Sequence, residues 1–249
     1  MNFKDYFSNL AANYASFRPH YPSSLFDYLA KTSRQQELAW DCACGSGQAT
    51  LDLARHYVSV IATDASAAQV AAAPPHPNVR YRVASAEASG INSASVDLGT
   101  VAQALHWFEL APFYAEVGRV LRPGGVLAVW TYGVLHVEDE SIDRRLQEFY
   151  WKTLQSYWPA ERRYVESGYR TLPFPYAELA PPSFDMQEHW SLRELIGYIR
   201  SWSATARYVE QHGVDPAVML EQGLEHEWGE PASARKIIWP LSLRIGRKP

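Results

Sequence analysis

Hydrophobic and polar positions divide the chain into two regimes. From about 36 to 133, short apolar runs alternate with segments whose apolar residues recur at helical spacing. Runs at 38–40, 58–63, 79–84, 95–102 and 126–132 predict five strands. Helices are predicted from Gln48 onward, over 65–73 and over 113–121, the last stopped by Arg122-Pro123-Gly124-Gly125. This alternation predicts a doubly wound, parallel α/β sheet. Ahead of it, Phe3, Tyr6, Phe7, Leu10 and Tyr14 share helical spacing, Pro19 and Pro22 interrupt, and a second helix capped by Ser23 or Ser24 buries Leu25, Phe26, Tyr28 and Leu29. After 133 the alternation stops. An amphipathic helix over 142–158 gives way to a Pro- and aromatic-rich stretch at 159–182, then to a strand at 184–190. Ser191-Leu192-Arg193-Glu194 has the form of a capping box and opens a helix carrying Leu192, Leu195, Ile196 and Ile199. A helix over 216–228 precedes a strand at 237–245 that returns to the sheet edge, where Pro240 is best tolerated. The expected organisation is a single domain, 1–249: an N-terminal arm (1–35), a ligand-binding core (36–133), a cap (134–234) and a returning strand (235–249).

With 249 residues and 47% hydrophobic composition, the chain can bury a large core. A net charge of −4 and the lack of any Lys/Arg run argue against nucleic acid as a partner and favour a small molecule. No apolar run approaches the roughly 18 residues of a membrane span, and the first residues lack a signal-peptide core, so no membrane partner is expected and the cytoplasm is the expected location. Cys42 and Cys44, the only cysteines, suit neither a disulfide nor a metal site at that spacing and read as packing residues; no metal is expected. Nine Trp and fifteen Tyr, many in the second half, either line a pocket or fill a core.

The candidate chemistry starts at Trp40 to Thr50, which reads as a strand, a tight turn and a helix start. Gly45 and Gly47 let the turn reach φ > 0 and let a ligand approach the backbone. Asp64, 23 positions after Asp41, ends the next strand, where a carboxylate can take the two hydroxyls of a ribose. A dinucleotide fingerprint wants a third glycine where Thr50 stands, and Asp41 beside the loop would repel a pyrophosphate. Asp41 suits the ammonium group of a methionine moiety instead, directly or through water. Replacing Gly47 by valine is expected to abolish ligand binding and leave the fold largely intact, on the reading that the loop lies at the surface. A nicotinamide-dependent oxidoreductase and a non-catalytic binding protein remain alternatives; the first is disfavoured by Thr50 and by the absence of a catalytic Tyr-x-x-x-Lys run.

Asp-x-x-x-Gly-x-Gly with an acidic residue at the end of the following strand resembles the class I S-adenosylmethionine-dependent methyltransferases. Leu-Arg-Pro-Gly-Gly-x-Leu at 121–127 is a further likeness, and Ala43 stands where that family usually has its first glycine. The resemblance implies a Rossmann-like sheet and S-adenosylmethionine as cofactor. It implies that Asp41, Ala43, Gly45, Gly47 and Asp64 bind the cofactor, that Tyr14 and Arg18 face its methionine carboxylate, and that Ala86 and Glu87 lie near the adenine; Glu87 reads equally as a solvated loop charge. The run Gln103 to Phe108 follows the fourth strand, where ligands of open α/β sheets bind, and is the candidate for contact with the transferring methyl. Gln103 is assigned to the cofactor, and His106 and Trp107 to the acceptor and to catalysis; His106 is equally readable as a structural histidine. The run lacks the Asn/Asp-Pro-Pro-Tyr tetrapeptide of methylases acting on base or glutamine nitrogens. Tyr198 to Ala204 is similar to the substrate cap of the trans-aconitate methyltransferase branch, with Tyr198 and Trp202 at i and i+4, although a core stripe explains that spacing as well. The expected acceptor is a small carboxylate methylated on oxygen, held by Arg200 first or Arg18 second; a phenol or hydroxyl acceptor, with His106 as base, is the alternative.

Overall fold

The computed structural model describes residues 18–249. Five strands, β1 (Leu38–Cys42), β2 (Ser59–Asp64), β3 (Val79–Val83), β4 (Val96–Ala102) and β5 (Leu121–Tyr132), run parallel in the order β3-β2-β1-β4-β5. They are the predicted five, and β1 and β4 are buried almost throughout, as the unbroken apolar runs require. Three further strands complete the sheet: β6 (His136–Val137), β7 (Asp185–Trp190) and β8 (Arg235–Arg247). β8 is antiparallel to β5 through residues 241–247 and to β7 through residues 235–240, with β6 on 237–238. It therefore lies inside the sheet, not at its edge. Pro240 falls where the pairing passes from β5 to β7, so its missing N–H costs little.

Helix α1 (Ser23–Thr32) buries Leu25, Phe26 and Leu29 against the sheet, but its cap position is Pro22 and no side chain caps it. α2 (Gln48–Leu53), α3 (Ala67–Ala72), with Ser66 accepting from Gln69 N, and α4 (Leu110–Val120) connect the parallel strands. Arg122-Pro123-Gly124-Gly125 does not end a helix ahead of the strand. Pairing begins at Leu121 and shifts register between Val96 and Leu98, so Gly124, at φ 78, sits in a bulge within β5. The expected 142–158 helix is broken: α5 (Glu140–Glu148), capped by Asp139, passes into a π-turn at Phe149–Thr153 and a 3₁₀ turn at Gln155–Tyr157. The wider turn buries Tyr150 and leaves Trp151 outside. α6 (Arg162–Glu166) is short. α7 (Leu192–Arg200) begins with the predicted capping box, Ser191 Oγ accepting from Glu194 N and Glu194 accepting from Ser191 N at 2.8 Å. α8 (Ser203–His212) and α9 (Pro216–Trp228) complete the chain's helices among the described residues. One apolar cluster lies between the sheet and α1, α2, α7 and α9; a second, around Trp40, Phe113 and Tyr169, fills the opposite face. Among the described residues no helix is long and apolar enough to cross a membrane.

Candidate active site

The carboxyl ends of β1, β2 and β4 converge on the loop after β1. Ala43, Gly45 and Gly47 all have positive φ, at 55°, 55° and 90°, and Gly47 N closes the turn on Cys44 O at 2.9 Å. The position that departs from the family pattern thus adopts the backbone that favours glycine, at a cost of about 1 kcal/mol or more for an alanine. Ala43→Gly is expected to raise stability by up to ~1 kcal/mol after the entropy of the freer unfolded chain is subtracted. Denaturant titration checks this, and a lower midpoint would show that the Ala43 methyl contributes more by packing than it costs in strain.

Asp64 ties the loop to β2: Oδ2 accepts from Gly45 N and Oδ1 from Ser66 N, both at 2.8 Å. A Cβ built on Gly45 would find nothing nearer than Gln69 Oε1 at 3.8 Å, so this face of the loop has room for a ligand. Gly47 differs. It is buried, and its Cβ would lie 2.5 Å from Tyr81 Oη, so the expectation of a freely substitutable surface glycine is corrected. Asp41 is buried beneath the loop, with Thr50 Oγ1 donating to one oxygen at 2.6 Å and Thr100 Oγ1 to the other at 2.9 Å. Burial pushes its pKa up to about 6 against these two bonds, with Asp64 adding a further push. Both oxygens are thus engaged by threonine hydroxyls within the protein. Burial also keeps both cysteine thiols protonated, in line with packing roles.

Tyr14 lies outside the described residues. Arg18 Nη1 donates to Tyr132 Oη at 2.6 Å, and Gln48 Nε2 donates to Pro19 O at 2.6 Å, which brings the segment after residue 17 over the loop helix. Ala86 packs on the cluster around Trp40, and Glu87 accepts from Glu109 N at 3.3 Å. Gln103, also at positive φ, turns its amide onto the end of β5: Oε1 accepts from Tyr132 N and Thr131 Oγ1, and Nε2 donates to Tyr132 O. Its side chain fastens β4 to β5.

His106 sits in a 3₁₀ turn, Leu105–Trp107, with Nδ1 2.8 Å from Tyr169 Oη. Burial, helped by the charge of Arg162, lowers its pKa to about 3. Trp107 stacks on it at 4.6 Å and remains partly exposed. Tyr169 is itself buried at φ 60 and anchored from behind by Arg244, whose Nη1 donates to Tyr169 O at 2.8 Å.

The cap helix does not bring its three candidates together. Tyr198 is buried, its hydroxyl accepting from Trp239 Nε1 at 3.2 Å, and Trp202 packs edge-on against it at 5.6 Å. Arg200 is exposed and paired with Asp215 at 2.7 Å and Glu221 at 3.1 Å, so its assignment to an acceptor carboxylate is corrected. Tyr198 faces inward from the last turn of α7, Arg200 at the end of that helix faces outward, and Trp202 lies beyond it, at the N-cap of α8. A cation missed in the sequence takes the inner position. Arg162 lies 4.7 Å over the Trp158 ring and 5.6 Å over Tyr150, whose hydroxyl accepts from its Nε at 2.7 Å. Trp158 and Arg162 at i and i+4 were the available signal, hidden in a stretch without periodicity.

A parallel sheet with one antiparallel strand inserted beside β5, a glycine turn after β1 and an aspartate ending β2 define a nucleoside-binding transferase fold. The methyltransferase domain profile matches residues 40–129. A "putative methyltransferase" of Dictyostelium discoideum is 34% identical over 99% of this chain and 96% of its own length. A "probable S-adenosylmethionine-dependent methyltransferase" of Saccharomyces cerevisiae is 31% identical over 53% of this chain, which is 47% of that protein. Among solved structures, a "putative type II methyltransferase" from Anaeromyxobacter dehalogenans is 44% identical with a TM-score of 0.88, covering 93% of this chain and 98% of that one. The chain belongs to the S-adenosylmethionine-dependent methyltransferase family. The site fits that cofactor: Gly45 leaves space at the loop, Asp64 puts a carboxylate beside it, and the buried negative charge of Asp41 favours a cation above it over a phosphate.

Proposed function

We propose that the protein methylates an oxygen of a small carboxylic acid in the space between the loop after β1, the end of β4 and the helices of the cap, roughly residues 134–234, and that it does so in the cytoplasm. The observation that carries this reading is His106. A histidine held neutral by burial, with a pKa near 3, is a weak proton acceptor, and it is the best-placed candidate base at the end of β4. A carboxylate needs no base, being ionised at neutral pH. S-adenosylmethionine supplies the methyl on a sulfonium; a carboxylate oxygen bonds to that carbon as the carbon–sulfur bond breaks, leaving a methyl ester and S-adenosylhomocysteine. The protein's part is to align the oxygen, exclude water and surround the sulfonium with aromatic faces. The likeness of Tyr198 to Ala204 to the trans-aconitate branch supports an acid as acceptor.

Cofactor titration calorimetry and a labelled-methyl screen over small acids, phenols and amines test the reading. Asp64→Ala is expected to weaken S-adenosylmethionine about 10-fold, by loss of a charged acceptor and of the loop's tether. The screen should give base-labile methyl esters. Unchanged cofactor affinity in a folded Asp64→Ala would remove its role, and label on phenols or amines alone would reject the carboxylate reading and make His106 the next residue to replace.

A further inference from the structure

We infer that Arg162 is the anion anchor of the acceptor pocket: it holds one carboxylate of a small dicarboxylic acceptor, and the methyl goes to the other. The inference rests on the carboxylate reading above and adds where the acid is held and that it carries two acidic groups.

Three observations carry it. First, Arg162 is a half-buried guanidinium with no carboxylate at ion-pair distance among the described residues, whereas Arg200, Arg145, Arg235 and Arg244 each have one. Glu166, on the same short helix, is linked to Arg162 through Tyr150, whose hydroxyl donates to Glu166 at 2.9 Å and accepts from Arg162 Nε. The terminal nitrogens of Arg162 are thus held partly out of water with no carboxylate in contact, and a donor in that position gains by meeting an acceptor. Second, the group is preorganised. Trp158 and Tyr150 lie against it, Trp158 packs on Trp202 at 5.6 Å, and the bond from Nε to Tyr150 fixes the plane of the fork, leaving the terminal nitrogens for a ligand. Third, Trp158 Nε1 in the same cluster is a buried donor without an acceptor among the described residues, so the cluster has a donor to spare beside the Arg162 fork.

The cluster also borders the expected place of reaction. The Arg162 charge acts on both His106 at the end of β4 and Tyr198 on the cap helix. Two acidic groups follow from the chemistry of the fork. A carboxylate taking two charge-assisted bonds from a guanidinium has its lone pairs drawn toward that cation, which makes it a poor nucleophile; the oxygen that takes the methyl therefore belongs to a second carboxylate.

The test uses the full chain saturated with S-adenosylhomocysteine, with short-chain dicarboxylic acids and the matching diamides as probes. Binding is read by calorimetry and by tryptophan fluorescence, since Trp158 lies against the anchor. Wild type should bind a diacid and not its diamide. Arg162→Met should weaken the diacid about 10- to 100-fold, and Arg162→Lys by less, with cofactor affinity and far-UV dichroism unchanged. In the labelled-methyl assay the loss should appear mainly in KM. Because Arg162→Met also releases Tyr150, Arg162→Lys serves if the first variant does not fold. Equal binding of diacid and diamide by wild type, or an undiminished diacid affinity in the folded variants, overturns the anchor. If wild type methylates diacids and Arg162→Met keeps its KM, the anchor falls alone. If diacids bind through Arg162 but only phenols or amines are methylated, the carboxylate reading falls and the anion site stands. If wild type neither binds nor methylates any acid, both fall.

Discussion

Gly47→Val is expected to destabilise the protein by about 2 to 5 kcal/mol, a loss large enough to compromise folding before ligand binding is considered. The backbone at Gly47, φ 90 and ψ 23, is costly for any side chain and worse for a β-branched one. The added Cβ would also stand 2.5 Å from Tyr81 Oη and 3.2 Å from two of its ring carbons. Tyr81 belongs to β3, and its ring would have to rotate away from the loop to admit the new side chain. Urea titration measures the loss. Adding Tyr81→Phe should recover part of it, because the oxygen is the nearest atom. A Gly47→Val protein with wild-type stability and no cofactor binding would instead mean that the loop is free of Tyr81 in solution.

The second large effect is expected at Asp41 and depends on pH. Burial raises this carboxyl from an ordinary 3.8 to about 6. A group raised in the folded state stabilises the fold fully below its unfolded pKa and ceases to do so as pH rises through the folded value, so the contribution is present below about 4 and lost above about 6. Asp41→Asn keeps the shape and removes the ionisation. It should be close to neutral at pH 4 and more stable than wild type at pH 7.5, by up to ~3 kcal/mol for a shift of about two units. Melting both proteins across this range isolates Asp41, because the acid sensitivity of His106 is common to the two. A difference that does not grow with pH would mean that Thr50 and Thr100 stabilise the charged form enough to cancel its burial. The gain should be accompanied by weaker cofactor binding, as the loop would lose the negative charge beneath it.

What could be read from the sequence was whatever local pattern determines. Ser191 and Glu194 form their capping box from four consecutive residues, and β1 to β4 follow from apolar runs with turn residues between them. Features set by distant partners were not legible. Nothing near Ala43 or Gln103 announces a positive φ; each is imposed by strands that fix the chain on both sides. Pro123-Gly124-Gly125 looked like a stop because a bulge inside a strand uses the same residues as a turn. Gly47 looked exposed because Tyr81 comes from a strand two places away in the sheet. Arg162 has no local pattern to single it out, because the cage of Tyr150, Trp158 and Trp202 exists only after a π-turn and an aperiodic segment have brought three separate stretches together.

The position of β8 sets the order in which the molecule can be assembled. This strand follows all of its partners in the chain and yet lies between β5 and β7. Until it is in place, β5 presents an unpaired edge and β7 has no neighbour, so the five-stranded nucleotide half can form early while the cap has nothing to dock against. Arg247 Nη1 and Nη2 then donate to Gly124 O and Thr32 O, each at 2.7 Å, fastening the bulge of β5 and the end of α1 with one side chain. During synthesis the long interval between β5 and β8 is a period of exposed strand edge, when self-association competes with folding. Pairing of β8 with β5 is therefore the most non-local contact in the sheet, the kind that closes late because its loop entropy must be met first.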